Sequence, residues 1–302
     1  MTRIITITSG MEGVGKTHLA VNLSLELVRR GRQVGLFHGL NGKSPIDRFI
    51  DIQPLAERRK QADAEQDHQH IISRGYLGID ILSCELPLEE WTTAPVDTVM
   101  QCARAMDVEG SYDDFLVDTS GMAPREQVCC CLASPVVVLV VTPEPQSQAE
   151  AFAFLRVLQL NGFSGELCLM VNKVPYAMDA SDIHLAFNHE ISTHLGLDAG
   201  MLEVMLQDDS VSRSERYRQA FSAVFPESDA AAGIVVVADD MDNMSGEQSG
   251  HALLSYWERF IDLARAPIHL PGNALLEDPD IRGEEGEMDA GDKTGAAGAS
   301  RN

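Results

Sequence analysis

The sequence is short of positive charge. Its 302 residues carry 23 Lys and Arg against 46 Asp and Glu, which gives a formal charge of -23 at pH 7. Such a balance repels nucleic-acid phosphates and anionic lipid headgroups unless a local basic patch overrides it, and the sequence shows no such patch. We therefore expect no nucleic-acid partner, and membrane association is not favoured.

Long apolar runs are also missing. Nowhere do about 18 apolar residues follow one another, as a spanning helix would need. The longest apolar stretch, Pro135–Thr142 with its flanks, has the length of a strand. The opening MTRIITITSG lacks the basic region, hydrophobic stretch and cleavage site of a signal peptide. The expectation is a cytoplasmic protein.

The cysteines do not form the pairs that zinc sites or secreted disulfide frameworks use. The six are Cys84, Cys102, Cys129, Cys130, Cys131 and Cys168. Three adjacent side chains on a helix point about 100° apart and do not easily share one metal ion. We expect reduced, mostly buried thiols.

Short β-branched runs alternate with segments of helical period, which is typical of a parallel sheet covered on both faces. The predicted fold class is α/β, with a doubly wound, mostly parallel sheet. The candidate strands are Arg3–Thr8, Gln33–His38, Gly78–Ser83, Asp113–Asp118, Pro135–Thr142, Glu166–Asn172 and Leu202–Leu206. A helix is predicted over Thr17–Arg30, where three leucines share one stripe and Gly31 follows as a cap.

Three other segments are less regular. The polar segment Glu57–His70 predicts an exposed helix or loop, and its histidines His68 and His70 favour a solvated face over ligand roles. The run AAAGIVVVADD after Pro226 fits either a strand or a helix. Residues 272–302 predict a disordered acidic tail, because eight acidic residues after position 276 face only three basic ones. Residues 1–271 are then one domain.

A phosphate-binding loop lies between the first strand and the first helix. Residues 10–17 read GMEGVGKT, a complete G-x-x-x-x-G-K-T in the strand-to-helix context that it requires. The glycines let backbone amides curl around an anion, and the helix that begins near Lys16 directs its positive dipole end at it. In such a loop Lys16 neutralises the β and γ oxygens, and the Thr17 hydroxyl binds Mg²⁺.

A second acidic element is predicted at Asp118, where the apolar strand YDDFLVD ends in a carboxylate. Ligands of parallel sheets bind at this edge, so Asp118 is the candidate Walker B residue and, with Thr17, a metal ligand. Gly121 completes a D-x-x-G step and could turn its amide toward a γ-phosphate. An Asp that ends a strand is often only a turn residue, so this assignment depends on the phosphate loop.

The stretches SGMEGVGKTHLAVNLSLELVRRGRQVGLF and VVVLVVTPEPQSQAEAFAFLRVL resemble the opening and the fifth-strand segment of the MinD/ParA family of deviant-Walker ATPases. The branch of flagellar-number regulators, FlhG and FleN, is most similar in appearance. The likeness runs from about Arg3 to Ala238 and includes Val171–Val174. It also includes Pro226–Asp229 before the alanines, which in the family opens a late helix and so favours helix for that run.

The resemblance implies a MinD-like P-loop NTPase fold, ATP and Mg²⁺ as cofactors, an ATP-dependent homodimer and a regulatory or flagellar protein partner. Lys16 and Asp118 are the candidate catalytic residues. Cofactor-binding roles are implied for Gly10, Met11, Glu12, Gly13, Val14, Gly15, Lys16, Thr17, His18, Gly121 and Asn172, the last of which matches an adenine-contacting asparagine.

The sequence departs from the family at four positions. Met11 stands where the family has a signature lysine, and Glu12 where a glycine is usual. The family's second strand ends Asp-x-Asp, whose second carboxylate helps to position the attacking water. His38 and Leu40 occupy those positions here. The departures predict impaired hydrolysis with binding retained, unless the register is off by one or two or Asp47 or another nearby carboxylate substitutes.

The segment His251–Arg265 predicts an amphipathic helix. Membrane-associated family members finish with a basic helix of this kind, but the charges here nearly cancel, so packing onto the domain is favoured over lipid binding. The leading functional expectation is an ATP-binding molecular switch that regulates flagellar number or placement. The alternative is a pseudo-ATPase scaffold that acts through a protein interface without turnover.

Overall fold

The computed structural model describes residues 2–40, 46–51, 53–54, 71–84, 86–106, 112–175, 177–243 and 252–270. Within these residues the strands form one sheet of nine, in the order β3-β4-β5-β2-β6-β1-β7-β8-β9. They are β1 Arg3–Thr8, β2 Val34–Leu40, β3 Gln53–Pro54, β4 Ile71–Tyr76, β5 Ile79–Cys84, β6 Asp114–Asp118, β7 Val136–Val141, β8 Glu166–Val171 and β9 Ala199–Met201. The β3–β4 and β4–β5 pairs are antiparallel and all the others are parallel.

The middle of the sheet is buried on both faces. Every residue of Val136–Val141 is buried, as is every residue of Asp114–Asp118. Near-continuous apolar runs of this kind are what a parallel sheet between two helical layers needs. The predicted α/β fold class is confirmed.

Eleven helices lie in the described residues. They are α1 Lys16–Arg29, α2 Ile46–Phe49, α3 Leu88–Thr93, α4 Val96–Met106, α5 Pro124–Ala133, α6 Pro145–Leu160, α7 Ala177–Leu195, α8 Asp209–Glu215, α9 Phe221–Val224, α10 Asp229–Asn243 and α11 Ala252–Arg265. None of the helices in this part of the chain combines the length and apolar character that crossing a membrane would need.

Most of the predicted elements agree with the structure to within one or two residues at each end. The ambiguous run after Pro226 lies in α10, as the family resemblance indicated. The strand predicted at Leu202–Leu206 is wrong: the strand is Ala199–Met201, and Leu206 forms only an isolated bridge with Val174. Leu202 and Met205 are buried, so their apolar character reflects burial in the core and not hydrogen bonding in a β-sheet.

The strands β3 and β4 were not predicted. They lie on either side of the polar segment 57–70, which shows no alternating pattern, and β3 has only 2 residues. That segment, with His68 and His70, lies outside the described residues, as does the predicted tail 272–302.

Helix α11 packs into the domain. Trp257 is fully buried, and its ring lies 5.1 Å from that of Phe37, 5.6 Å from that of Trp91 and 5.5 Å from that of Phe260. The guanidinium of Arg265 donates to the carbonyl oxygens of Trp91 and Ala94. The apolar face of this helix is therefore part of the core, as the sequence favoured.

The six cysteines are free and buried, as expected. Burial raises the pKa of the Cys129 thiol to about 11 and that of the Cys131 thiol to about 12. Neither thiol is a reactive thiolate at neutral pH.

Candidate nucleotide site

The loop of residues 9–15 joins β1 to α1 at the carboxyl edge of the sheet. It is seated against α6 at Gly10, where an added Cβ would lie 2.2 Å from the carbonyl carbon and oxygen of Glu150. Gln127 of α5 fixes the preceding residue, since its Nε2 donates to the Ser9 carbonyl oxygen at 2.7 Å. Two helices therefore hold the beginning of the loop.

Two other glycines give the loop its curvature. Gly13 has φ 75° and Gly15 has φ 104°, in the left-handed region that other residues rarely adopt. At Gly15 a Cβ would also lie 2.4 Å from Nδ2 of Asn172. A side chain at position 15 is thus excluded both by the backbone and by a neighbour.

Several amide groups of the loop have no hydrogen-bond acceptor within the described part of the chain. Among the residues that the structure describes, no backbone or side-chain oxygen accepts a hydrogen bond from the amides of Gly13, Val14, Gly15, Lys16 or Thr17. Successive unpaired amides at a helix N-terminus form an anion-binding concavity. This geometry fits a phosphate group.

Lys16 is buried at the first turn of α1. Its ammonium donates to Ser9 Oγ at 2.7 Å and to the Met11 carbonyl oxygen at 3.4 Å. Burial lowers the pKa of Lys16 below its ordinary value of 10.5, while the charges of Asp118 and Glu12 oppose that shift. An anion bound in the loop would place a further negative charge beside this buried ammonium and so stabilise its charged form.

Thr17 and Asp118 meet at the mouth of the loop. The Thr17 hydroxyl donates to Asp118 Oδ2 at 2.7 Å, and Ser120 donates its amide and its hydroxyl to Oδ1 at 3.1 and 2.7 Å. Asp118 is fully buried at the end of β6. A hydroxyl and a carboxylate in contact form an oxygen-donor pair of the kind that Mg²⁺ prefers, so these residues fit that ion.

Asn172 and Lys173 reach the loop from the end of β8. Nδ2 of Asn172 donates to the Val14 carbonyl oxygen at 2.7 Å, and Nζ of Lys173 donates to the Gly13 carbonyl oxygen at 2.7 Å. Residues about 160 positions apart in the chain are therefore joined at this edge of the sheet. Asn172 lies beside the phosphate loop, and its implied contact with adenine stays a prediction.

His18 connects the loop to α2 and α8. Its Nε2 lies 2.9 Å from Glu215 Oε1, and its ring lies 4.6 Å from that of Phe49. Burial lowers the pKa of His18 below its ordinary value of 6.5, and the hydrogen bond with Glu215 opposes the shift. Burial therefore favours the uncharged imidazole.

A cavity of about 1010 Å³ opens beside the loop. The predicted residues that line it are Glu12, Gly13, Gly15, Lys16, Thr17, His18, Gly121 and Asn172, with Asp47 on the α2 side. Gly10, Met11, Val14 and Asp118 do not line it. Met11 packs against the hydrophobic core, and Val14 is fully buried.

Several residues of the cavity were not predicted. They include Lys173, Phe49, Glu215, the segment 205–209, Val211 and Ser212. Lys173 follows the predicted Asn172 directly, which was the one local signal available. Glu215 and Phe49 lie in segments without any recognisable motif.

Known proteins resemble this chain in sequence and in fold. No family model matches the chain. The chain is 23 % identical over 242 residues to the antiactivator FleN of Pseudomonas aeruginosa, covering 80 % of this chain and 86 % of FleN. It is 29 % identical over 178 residues to the flagellum site-determining protein YlxH of Helicobacter pylori, covering 57 % and 58 % of the two chains.

The solved structures give the fold. The MinD cell division protein of Aquifex aeolicus superposes with a TM-score of 0.58 at 19 % identity, over 80 % of this chain and 98 % of that one. The MinD of Pyrococcus horikoshii, solved with Mg-ADP, superposes with a TM-score of 0.56 at 20 % identity, over 80 % and 97 %. The chain therefore has the fold of these MinD proteins.

Of the positions that depart from the MinD/ParA pattern, Glu12 lines the cavity. His38 and Leu40 end β2, next to β6, whose last residue is Asp118. His38 is buried. Glu12, exposed at the rim, places a negative charge beside the loop. The site thus keeps the loop, Lys16, Thr17 and Asp118 but has neither a second-strand carboxylate at positions 38 and 40 nor a lysine at position 11.

Proposed function

We propose that this chain binds ATP with Mg²⁺ at the phosphate loop and acts as a MinD-type nucleotide-dependent switch. The observation that carries the proposal is the row of unpaired amides at residues 13–17 beside the buried ammonium of Lys16. A buried cation among unpaired donors is unfavourable without an anion. A triphosphate provides the charge and the acceptors together.

The residues have separate tasks in this site. The loop amides and Lys16 bind the phosphate oxygens, and Thr17 with Asp118 would hold Mg²⁺, which supplies positive charge against the β and γ oxygens when bound. Ser120 fixes the orientation of the Asp118 carboxylate through two hydrogen bonds to the same oxygen. Gly121 and Asn172 line the cavity and are proposed to contact the nucleotide directly.

We further propose that turnover is slow. Phosphoryl transfer is accelerated by positioning and charge stabilisation, and loss of one such group costs a factor of about 10² or more. Met11 carries no charge, and an aliphatic Leu40 accepts no hydrogen bond from an attacking water. The alternative is a scaffold that holds nucleotide permanently, or none, and works through a protein interface.

The biological role is proposed from the relatives. FleN is an antiactivator and YlxH determines the flagellum site, so this chain is proposed to regulate flagellar number or placement through a flagellar or regulatory protein partner. Deletion of the gene from the organism that encodes it should change the number or position of flagella counted by electron microscopy. Unchanged flagella would contradict this role but not nucleotide binding.

Nucleotide binding is tested with Lys16→Ala. Calorimetry with ATP and Mg²⁺ should show binding to the wild type and none to the variant, because Lys16 is the buried ammonium beside the loop amides, whereas Lys173 is exposed and contacts a loop carbonyl. Arg104→Ala, an exposed change in α4, is the matched control for lost positive charge. Equal ATP affinity of the wild type and Lys16→Ala would show that the loop is not a phosphate site.

Dimerisation is tested separately by the mass in solution with ATP, with ADP and without nucleotide. The switch proposal expects a homodimer with ATP and a monomer otherwise. The same mass in all three conditions would favour the scaffold.

A further inference from the structure

Lys173 occupies a strained position at the edge of the cavity. Its φ is 58°, in the left-handed region, which is unfavourable for a residue with a side chain. The backbone is fixed on both sides: the Lys173 amide donates to Asn172 Oδ1 at 2.8 Å, and the Val174 amide donates to the Met205 carbonyl oxygen at 3.1 Å. Such a conformation persists only where its surroundings determine it.

The strained backbone brings the Lys173 ammonium to the phosphate loop. Its Nζ donates to the Gly13 carbonyl oxygen at 2.7 Å, beside the 2.7 Å hydrogen bond from Asn172 Nδ2 to the Val14 carbonyl oxygen. Two successive carbonyl groups of the loop are thus held from the same side. Lys16 and Lys173 are the two lysines in the described part of the chain, and both contact this loop.

Because the peptide bond is planar, the contacts to the Gly13 and Val14 carbonyl groups also orient the amides of the residues that follow them. In a trans peptide the carbonyl group of one residue and the amide of the next point in opposite directions. Because the Gly13 and Val14 carbonyls face Lys173 and Asn172, the amides of Val14 and Gly15 face away from them. These two amides belong to the unpaired set of the loop.

We propose that Lys173 is a positioning residue for phosphate binding, which acts by holding the Gly13 carbonyl so that the loop amides are already turned toward a polyphosphate. The inference rests on the proposed nucleotide binding and assigns to Lys173 a role that the motif alone does not indicate. Its side chain also lines the cavity, as does the neighbouring Asn172.

The experiment compares Lys173→Met, which keeps the unbranched stem and removes the ammonium, with Lys173→Arg and with the control Arg104→Met. Calorimetry is done with ATP and Mg²⁺, with inorganic tripolyphosphate and with adenosine. A charge-assisted hydrogen bond of this kind is worth about tenfold or more in affinity. We expect Lys173→Met to lose that factor for ATP and for tripolyphosphate but not for adenosine, and Lys173→Arg to retain most of the affinity.

Measuring the affinity loss of Lys173→Met at high salt distinguishes a role in ordering the loop from a simple electrostatic attraction. At about 0.5 M salt an exposed charge is largely screened, so a loss that disappears there would mean that Lys173 acts only through its charge and would overturn the proposal. A loss that persists supports it. Tripolyphosphate affinity of Lys173→Met equal to that of the wild type would also overturn it.

A readout without nucleotide keeps the inference distinct from the proposed function. Hydrogen exchange of a peptide that covers the loop should be faster in Lys173→Met than in the wild type or in Arg104→Met, because the loop loses one of its anchors. Unchanged exchange would overturn the inference. If the wild type binds neither ATP nor tripolyphosphate, the proposed function fails, and the exchange experiment still decides whether Lys173 orders the loop.

Discussion

Gly10→Ala should destabilise the protein more than a glycine replacement usually does. The new Cβ would lie 2.2 Å from both the carbonyl carbon and the oxygen of Glu150 and 2.5 Å from the Ala151 nitrogen. These are backbone atoms inside α6, and Ala151 is fully buried. They cannot rotate away as a side-chain end could, so either the loop or the helix has to shift by about 1 Å to restore ordinary contact distances, and overpacking forces backbone shifts of this kind.

The expected loss in the free energy of unfolding is about 2–4 kcal/mol, at or above the upper part of the range for overpacked sites. Gly162→Ala is the matched control, because Gly162 has φ 76° and open space around its Cβ position, so only the backbone cost applies. That cost is roughly 1–2 kcal/mol. Urea unfolding measures both variants, and calorimetry measures ATP binding to each.

We expect Gly10→Ala to weaken ATP binding as well, since the displaced loop no longer presents its amides in the same geometry. Gly162→Ala should bind ATP as the wild type does. The reasoning is refuted if Gly10→Ala is no less stable than Gly162→Ala, because the loop would then not be seated on α6.

Two further predictions concern stability. Trp257→Ala should lower the free energy of unfolding by about 3–5 kcal/mol, because the ring is fully buried, whereas the exposed Glu258→Ala should change it little in urea unfolding; similar losses would mean that α11 does not belong to the core. Burial, together with the charge of Lys173, lowers the pKa of His18 in the folded protein, while Glu215 and Asp118 oppose the shift. The unfolded chain therefore takes up the proton first as the pH falls, and the free energy of unfolding decreases as the pH drops through about 6.5 toward the folded pKa. His18→Gln should therefore lose less stability than the wild type between about pH 7.5 and 5.5 in thermal unfolding, and an equal loss would show that His18 is not the group responsible.

The parts of the site that were predicted from the residues themselves each carry a pattern within a short stretch of chain, whereas Asn172 was reached through the family resemblance. Residues 10–17 carry their own spacing, and a strand before them with a helix after them completes the signal. Asp118 ends a run of apolar residues, so its place at the sheet edge follows from the parallel topology. These inferences need no knowledge of how distant segments meet.

The rest depends on contacts between distant segments. The hydrogen bond of Lys173 to the loop joins residues 160 positions apart, and that of Glu215 to His18 joins residues 197 apart. No periodicity encodes either contact. The error at Leu202–Leu206 has a similar origin, because a buried connection and a buried strand show the same run of apolar residues.

The central claim is that the site binds ATP but turns it over slowly. Single-turnover hydrolysis of bound labelled ATP tests it, in the wild type, Leu40→Asp, and Leu40→Asp with Met11→Lys. The account predicts that ATP stays bound and intact in the wild type and that Leu40→Asp raises the rate by about 10² or more, with a further, non-additive gain from Met11→Lys. Rapid hydrolysis by the wild type, left unchanged by Leu40→Asp, would contradict the roles assigned to positions 11 and 40.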